Sequence, residues 1–109
     1  MIEMDPILLL TDRIARAFQP ERIILFGSHA YGKPNADSDV DLLVILPFKG
    51  KPMRKALEIL TKTDPHIPVD LLVRTPEQIR ERVKEHDWFI CEIIEKGRVL
   101  YESNHKRVG

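Results

Sequence analysis

Two short segments contain the residues whose types and spacing are suited to chemistry. Gly27 and Ser28 end an apolar run that starts at Ile23, and after ten intervening residues a second apolar run is entered through Asp39 and Asp41. Side chains i and i+2 share one face of a strand, so the two carboxylates repel each other unless a cation lies between them. Mg²⁺ is commonly bound through one or two carboxylates together with substrate phosphates, and the free N–H groups of a turn that opens a helix suit an anion. The two segments therefore predict chemistry on a nucleoside triphosphate.

The hydrophobic pattern predicts the helices and strands that would position these segments. Strands rich in β-branched and apolar residues are expected over residues 22–26, 40–46 and 67–73, with a further edge strand over 98–101. Helices are expected over residues 5–18, 28–31, 53–63, from 75 onward, and 88–94. Pro68 must lie at the beginning of the third strand, because proline cannot donate to a central ladder.

Residues that favour helix ends refine this pattern. Asp5 is expected to be the N-cap of the first helix, and Ser28 that of the short second helix. Thr75 and Gln78 have the spacing of a reciprocal capping box. In the helix over residues 53–63, the side chains expected to face the core are Ala56, Leu57, Ile59 and Leu60.

The order of these elements predicts where the carboxylates lie. The first two strands bring Ser28 and Asp39 together if they are antiparallel neighbours. The second and third strands are joined through a helix, which implies a parallel pair with a right-handed crossover. Asp70 stands early in the third strand and is therefore expected at the same end of the sheet as Asp41. Three carboxylates and the Gly-Ser turn would then converge on one edge.

Size and composition indicate one soluble domain over residues 1–109, with 103–109 as a frayed tail. Lys+Arg and Asp+Glu both number 17, so the formal charge is zero and direct binding to nucleic acid is not expected. No apolar segment is long enough to span a membrane, and a cytoplasmic location is expected. The single cysteine, Cys91, excludes an internal disulfide.

Other charged residues are weaker candidates for a functional role. Lys33 lies on the loop at the carboxylate end and is the best placed of them for a phosphate contact. His29 follows Ser28 and could face the site, although an ordinary helix position is the stronger interpretation. A basic cluster follows the far end of the second strand, about 20 Å from the carboxylates. It consists of Lys49, Lys51, Arg54 and Lys55, and a solvated face or a partner contact explains it better.

In its motifs the chain resembles the DNA-polymerase-β-like nucleotidyltransferase superfamily, and within it the minimal nucleotidyltransferases (MNT). The signature of this superfamily is Gly-Ser, about ten residues, Asp-x-Asp, and a later Asp on its own strand. These elements stand here as Gly27-Ser28, Asp39-Val40-Asp41 and Asp70, within residues 22–73. The resemblance implies an α/β (α+β) nucleotidyltransferase fold, with a small mixed sheet of three to four strands flanked by helices.

Members of this superfamily transfer a nucleoside monophosphate from a triphosphate to an acceptor hydroxyl and release pyrophosphate. The resemblance implies catalytic and metal-binding roles for Asp39, Asp41 and Asp70, which would hold two Mg²⁺ ions about 4 Å apart. Asp70 would also take the proton of the acceptor. Gly27 and Ser28 would bind the terminal phosphates of the substrate, expected to be ATP.

The resemblance also implies a partner. Larger relatives carry an added helical domain for the acceptor, so here a second protein is expected to bring it. Minimal nucleotidyltransferases typically stand beside a helical toxin of the higher-eukaryote-and-prokaryote nucleotide-binding (HEPN) type. The chain would then be the antitoxin of a type VII toxin–antitoxin system and would adenylylate a tyrosine of that toxin. No residue identifies the acceptor or the preferred nucleotide, and a homo-oligomer is possible.

Two alternatives remain open at this point. The first is a catalytically weak binding module that neutralises a partner by masking its surface. An exposed apolar patch around Trp88, Phe89 and Ile93 would argue for obligate complex formation, which is compatible with both this module and the enzyme. The second is transfer to the hydroxyl of a small molecule, against which the missing second domain argues unless a homodimer builds the acceptor pocket. Intact Asp39, Asp41 and Asp70 argue against the first.

Overall fold

The computed structural model describes residues 4–32, 34 and 38–103. The expected phosphate contact at Lys33 and the expected frayed tail over 104–109 lie outside these residues. In chain order the elements are α1 (Met4–Phe18), β1 (Arg22–Phe26), α2 (Ser28–Tyr31), β2 (Val40–Ile45), α3 (Pro52–Thr63), β3 (Val69–Arg74), α4 (Pro76–Lys84), α5 (Trp88–Lys96) and β4 (Arg98–Glu102).

The strands form one mixed sheet in the order β3-β2-β1-β4. Strand β1 pairs antiparallel with both β2 and β4, whereas β2 pairs parallel with β3. The prediction of a small mixed sheet flanked by helices is confirmed, as are the antiparallel first pair and the parallel second pair. The expected edge strand is β4, which lies beside β1.

Alternation along the strands separates two hydrophobic clusters on opposite faces of the sheet. The first face packs against α1 and α3, and its buried members include Ile14, Ile23, Leu25, Leu42, Val44 and Ile59. The second face packs against α4 and α5 through Ile24, Leu43, Ile45, Ile79, Ile90 and Ile93. Both faces of β1 and β2 are thus buried, which agrees with their near-continuous runs of apolar residues.

Two of the predicted N-caps are wrong. Asp5 lies inside the first turn of α1, which already includes Met4. Ser28 is the first helical residue of α2, and Gly27 occupies the cap position with φ 74° and ψ −160°. Residues with a Cβ rarely adopt such a backbone conformation, so the glycine rather than the serine determines how the chain enters α2.

The later helices begin as expected. The N–H of Gln78 donates to the Thr75 hydroxyl over 3.1 Å, and the N–H of Thr75 donates to the Gln78 side chain over 2.9 Å. This pair of bonds is the predicted capping box at the start of α4. Helix α5 is capped by Asp87, whose carboxylate accepts from the N–H of Ile90, and it ends at Gly97.

Helix α3 corrects one predicted core residue. Leu57 is 65% exposed, whereas Ile59 is buried and Ala56 packs against the first hydrophobic cluster. Positions 56, 59 and 63 lie three and four residues apart and share one helix face, and Leu57 falls to the side of that face. Ser103, expected in the frayed tail, is buried, and its N–H donates to the carbonyl of Glu21 over 2.9 Å. No helix within the described ranges is long and apolar enough to cross a membrane.

Candidate active site

Asp41 and Asp70 lie beside each other on neighbouring strands. The parallel register of β2 and β3 pairs them directly. Asp41 alternates with Leu43 and Ile45, and Asp70 with Leu72, all of which belong to the second hydrophobic cluster. Both carboxylates therefore belong to the sheet face that α4 and α5 cover, at the end where β2 and β3 begin.

Asp39 stands just outside this pair. Strand β2 begins at Val40, so Asp39 is the last residue of the preceding loop and is exposed. Its carboxylate is nevertheless near enough to act electrostatically on Asp41. The expectation that both aspartates lie on one strand is thus met for Asp41 only, because Asp39 precedes the ladder.

Mutual repulsion and burial both act on Asp41. Partial burial raises the pKa of the Asp41 carboxyl above its ordinary value, and the nearby charges of Asp70 and then Asp39 raise it further, while His29 lowers it. Each of these two carboxylates disfavours the ionised form of Asp41, as expected when like charges share a site. Within the described residues, the effects that disfavour the ionised form of Asp41 outweigh the opposing effect of His29.

Gly27 leaves the space that the Asp41 carboxylate occupies. A Cβ built on Gly27 would collide with Oδ2 of Asp41, and its φ of 74° independently favours glycine. The close approach of backbone and carboxylate places the beginning of α2 directly against Asp41. The carbonyl of Gly27 accepts the N–H groups of Ala30 and Tyr31, which closes the first turn of that helix. The structure thus brings Gly27 and Ser28 to the end of the sheet that carries the aspartates.

The structure places His29 beside the candidate site, whereas the sequence favoured an ordinary helix position for it. Both nitrogens of its imidazole are buried, and among the described residues neither has a hydrogen-bond partner. The ring also acts electrostatically on Asp41. Buried polar atoms without partners are rare in folded proteins, and a catalytic or binding role is one of the reasons for them. In the sequence, only the position of His29 directly after Gly27-Ser28 pointed to the site. The sequence does not show that the packing of α2 buries the ring nitrogens.

The donor set suits a hard divalent cation. All three carboxylates supply oxygen ligands, which Mg²⁺ prefers, and a cation would offset the repulsion that raises the pKa of Asp41. Within residues 4–32, 34 and 38–103, no three His, Cys, Asp or Glu side chains are drawn close enough to form a complete metal site. Because Mg²⁺ usually retains water and binds through one or two carboxylates plus substrate phosphates, an incomplete protein cage agrees with this chemistry.

A concavity that does not include the aspartates lies between α1 and β4. This groove has a volume of about 620 Å³ and is lined by Leu8, Thr11, Gln19 and Tyr101, among others. Gln19 precedes β1, so this groove includes the end of the sheet opposite Asp41. It contains no paired carboxylates, and its size alone does not make it the catalytic site.

A sheet edge with two register-paired aspartates and an adjoining Gly-Ser turn is typical of enzymes that transfer nucleotides. The family model described as nucleotidyltransferase domain matches residues 9–101. The chain therefore belongs to the nucleotidyltransferase domain family and is a nucleotidyltransferase. A search of the curated proteins returns no match.

Solved structures share the fold. A candidate nucleotidyltransferase from Sulfolobus solfataricus superposes with a TM-score of 0.65 at 18% identity, covering 93% of this chain and 81% of that one. A toxin–antitoxin complex with AMP-PNP superposes with a TM-score of 0.55 at 21% identity, covering 96% of this chain and 77% of that one. A mutant of the toxin–antitoxin MntA-HpeT superposes with a TM-score of 0.52 at 20% identity, covering 97% of this chain and 77% of that one. At these identities the similarity establishes the fold.

Proposed function

We propose that this nucleotidyltransferase moves AMP from ATP to a hydroxyl of a partner toxin and so acts as its antitoxin. The observation that carries the proposal is the register pairing of Asp41 with Asp70 beside Gly27. Two carboxylates and a close backbone approach on one sheet edge suit a polyphosphate with its cations. The toxin–antitoxin complexes with this fold, one of them with AMP-PNP, support the choice of nucleotide and of partner.

The residues would divide the reaction among them. Gly27 and Ser28 would hold the terminal phosphates through the backbone at the start of α2. Asp70 would accept the proton of the acceptor hydroxyl while the oxygen of that hydroxyl bonds to the α-phosphorus of ATP. The bond from that phosphorus to the β-phosphate then breaks, and pyrophosphate leaves. No covalent intermediate with the protein is needed, because positioning and electrostatics suffice.

Asp39, Asp41 and Asp70 are the residues that would hold Mg²⁺. Bound Mg²⁺, expected as two ions, neutralises the charge of the triphosphate and stabilises the attacking and leaving oxygens. A bound cation would stabilise the ionised form of Asp41 most, because burial and both neighbouring carboxylates disfavour that form. Each of these roles is a proposal for this chain.

The acceptor is proposed to be a tyrosine of a HEPN-type helical toxin. This assignment rests on the resemblance to minimal nucleotidyltransferases and on the toxin–antitoxin complexes that share the fold. A search for AMP on the product of the adjacent gene tests it. The purified pair is incubated with Mg²⁺ and ATP, and intact-mass and peptide mass spectrometry locate any added AMP.

Two variants make this experiment decisive. Asp70→Asn should abolish AMP transfer while the pair still associates, since the carboxylate is exposed and its amide has the same shape. Asp12 is an exposed carboxylate on α1 that pairs with Arg16, and Asp12→Asn should transfer AMP as the wild type does. Neutralisation of the toxin by Asp70→Asn would instead favour the masking module. Transfer only to added small alcohols would favour the small-molecule alternative.

A further inference from the structure

We infer that the indole of Trp88 is the stacking platform for the nucleobase of the triphosphate, an inference that rests on the proposed function of the aspartate edge. Trp88 opens α5 and is 73% exposed, although indole is a large and largely apolar group. Ile93, the third residue of the apolar patch considered above, is buried in the second hydrophobic cluster. Within α5 the exposed aromatic surface therefore belongs to Trp88 and Phe89 in the first turn.

A continuous line of rings joins Trp88 to the aspartates. Phe26, at the end of β1, is the register partner of Asp41, so their side chains share a face of the sheet. The ring of Phe89 lies 5.8 Å from that of Phe26, edge to face at 82°. The ring of Trp88 lies 6.2 Å from that of Phe89, again edge to face at 74°. Both distances are those of favourable aromatic pairs.

The three rings differ in their contacts and in their exposure to solvent. Phe26 packs against the second hydrophobic cluster, and Phe89 contacts Phe26 on one side and Trp88 on the other. Trp88 is the most exposed of the three rings and lies on the face of the sheet that carries Asp41 and Asp70. A triphosphate anchored at Asp41 and Gly27 extends its base away from the phosphates, and the aromatic line provides a planar apolar surface in reach.

The occupant that fits is a nucleobase. Every base has a π face, and stacking on an aromatic side chain contributes to binding without reading base edges. A stacking platform would also explain why the sequence shows no residue of an evident base-reading type. The inference therefore names Trp88 as a binding determinant for ATP in addition to the phosphate and metal ligands.

The chain offers a direct probe of this contact, because Trp88 is its only tryptophan. Fluorescence excited at the red edge of the indole band, where adenine does not absorb, should be quenched by Mg²⁺-ATP and not by Mg²⁺ with inorganic triphosphate. The inorganic compound shares the phosphates and lacks the base, so it separates stacking from a change caused by phosphate binding. Equal quenching by both compounds would overturn the inference.

Substitution provides an independent measurement by calorimetry. Trp88→Ala should weaken ATP binding about ten-fold, the usual effect of removing one base–aromatic stack, and leave the affinity for inorganic triphosphate unchanged. Trp88→Phe should restore most of the ATP affinity. Met53→Ala is the matched control, since Met53 is 85% exposed on α3, on the opposite side of the sheet, and should bind ATP normally.

The outcomes separate this inference from the proposed function. Suppose that wild type and Trp88→Ala bind ATP with equal affinity and that Asp41→Asn does not bind it. This result would overturn the stacking platform and leave the proposed nucleotidyltransferase site intact. Loss of partner association by Trp88→Ala with unchanged ATP affinity would assign the indole to the partner surface instead and would likewise overturn the inference. Absence of ATP binding in every protein would overturn both proposals.

Discussion

Asp41 is the residue on which the local chemistry of the site depends. Its carboxylate occupies space that only the glycine at position 27 leaves open, and its charge is opposed by Asp70 and Asp39. Such an arrangement lowers the stability of the free protein, because burial and like charges both disfavour the ionised form. A metal–phosphate ligand that balances the charge would remove this penalty. The disfavoured charge of Asp41 would thus favour binding of a cation and also lower the free energy of unfolding of the free protein.

Asp41→Asn should stabilise the free protein at neutral pH and abolish nucleotidyl transfer. The pKa of Asp41 is raised by folding, so its contribution to stability is complete below the unfolded pKa and is lost as the pH rises through the folded pKa. The stability of Asp41→Asn relative to the wild type should therefore increase from about pH 4 toward neutrality. Thermal unfolding over this pH range without added metal measures the difference.

Asp12→Asn is the control for this prediction. Asp12 is exposed on α1 and contacts Arg16, so its removal should change stability by less than about 1 kcal/mol at neutral pH. A difference between Asp41→Asn and the wild type that does not vary with pH would show that the carboxylate of Asp41 is not disfavoured by the fold.

Gly27→Ala should lose activity through displacement of the Asp41 carboxylate. The methyl group would collide with Oδ2 of Asp41, and a displacement of about 1 Å in a catalytic group is associated with losses of about 100-fold. Gly32→Ala is a close control, because Gly32 has a similar φ of 79° and a Cβ there would meet nothing within 4 Å. Gly32→Ala should lose about 1–2 kcal/mol of stability from its left-handed backbone. Gly27→Ala should lose more, because φ 74° with ψ −160° is essentially confined to glycine and the methyl group also collides with Asp41.

Steady-state transfer rates for the two variants measure the difference. Gly32→Ala is expected to retain the wild-type rate after correction for its folded fraction. Equal rates in Gly27→Ala and Gly32→Ala would contradict the role assigned to the contact between Gly27 and Asp41.

At the scale of elements, sequence patterns predicted those helix ends that depend on side chains. The capping box of Thr75 and Gln78 and the strand over residues 22–26 follow from local residue types, and both are present. Ser28 failed as a cap because the backbone of Gly27, pressed against Asp41, determines the entry into α2. Leu57 failed as a core residue because α3 packs on the sheet through the face of Ala56 and Ile59, and Leu57 lies to the side of that face.

Thr75→Ala should remove one of the two capping bonds and lower the free energy of unfolding by about 1 kcal/mol. The hydroxyl of Thr75 accepts the N–H of Gln78, and alanine leaves that donor to water. Thr61→Ala is the matched control, because Thr61 is exposed within α3 and alanine is the better helix former. Urea unfolding of both variants measures the effect. A loss in Thr61→Ala equal to that in Thr75→Ala would contradict a specific role of the cap.

At the scale of the whole molecule, the site exists only where distant parts of the chain meet. Gly27 follows β1, Asp41 lies on β2, Asp70 on β3, and Trp88 on α5. The spacing of the aspartates predicted their common edge, because strand order and direction followed from the connections. The burial of the His29 nitrogens and the ring line from Phe26 to Trp88 depend on how α2 and α5 pack, which no local pattern specifies.

Because the site joins these elements, ligand binding should stabilise the molecule as a unit. At a concentration 100 times its Kd, a ligand of the folded state adds about 2.7 kcal/mol, which for a domain of this size raises Tm by about 10 °C. Mg²⁺-ATP should produce this increase in the wild type and in Asp12→Asn. Asp41→Asn, although more stable without ligand, should show little further increase, because it lacks the carboxylate that the cation balances. Thermal unfolding with Mg²⁺-ATP, Mg²⁺ alone and ATP with a chelator separates these contributions. Equal increases in wild type and Asp41→Asn would place the nucleotide away from the aspartate edge and contradict the site proposed for this chain.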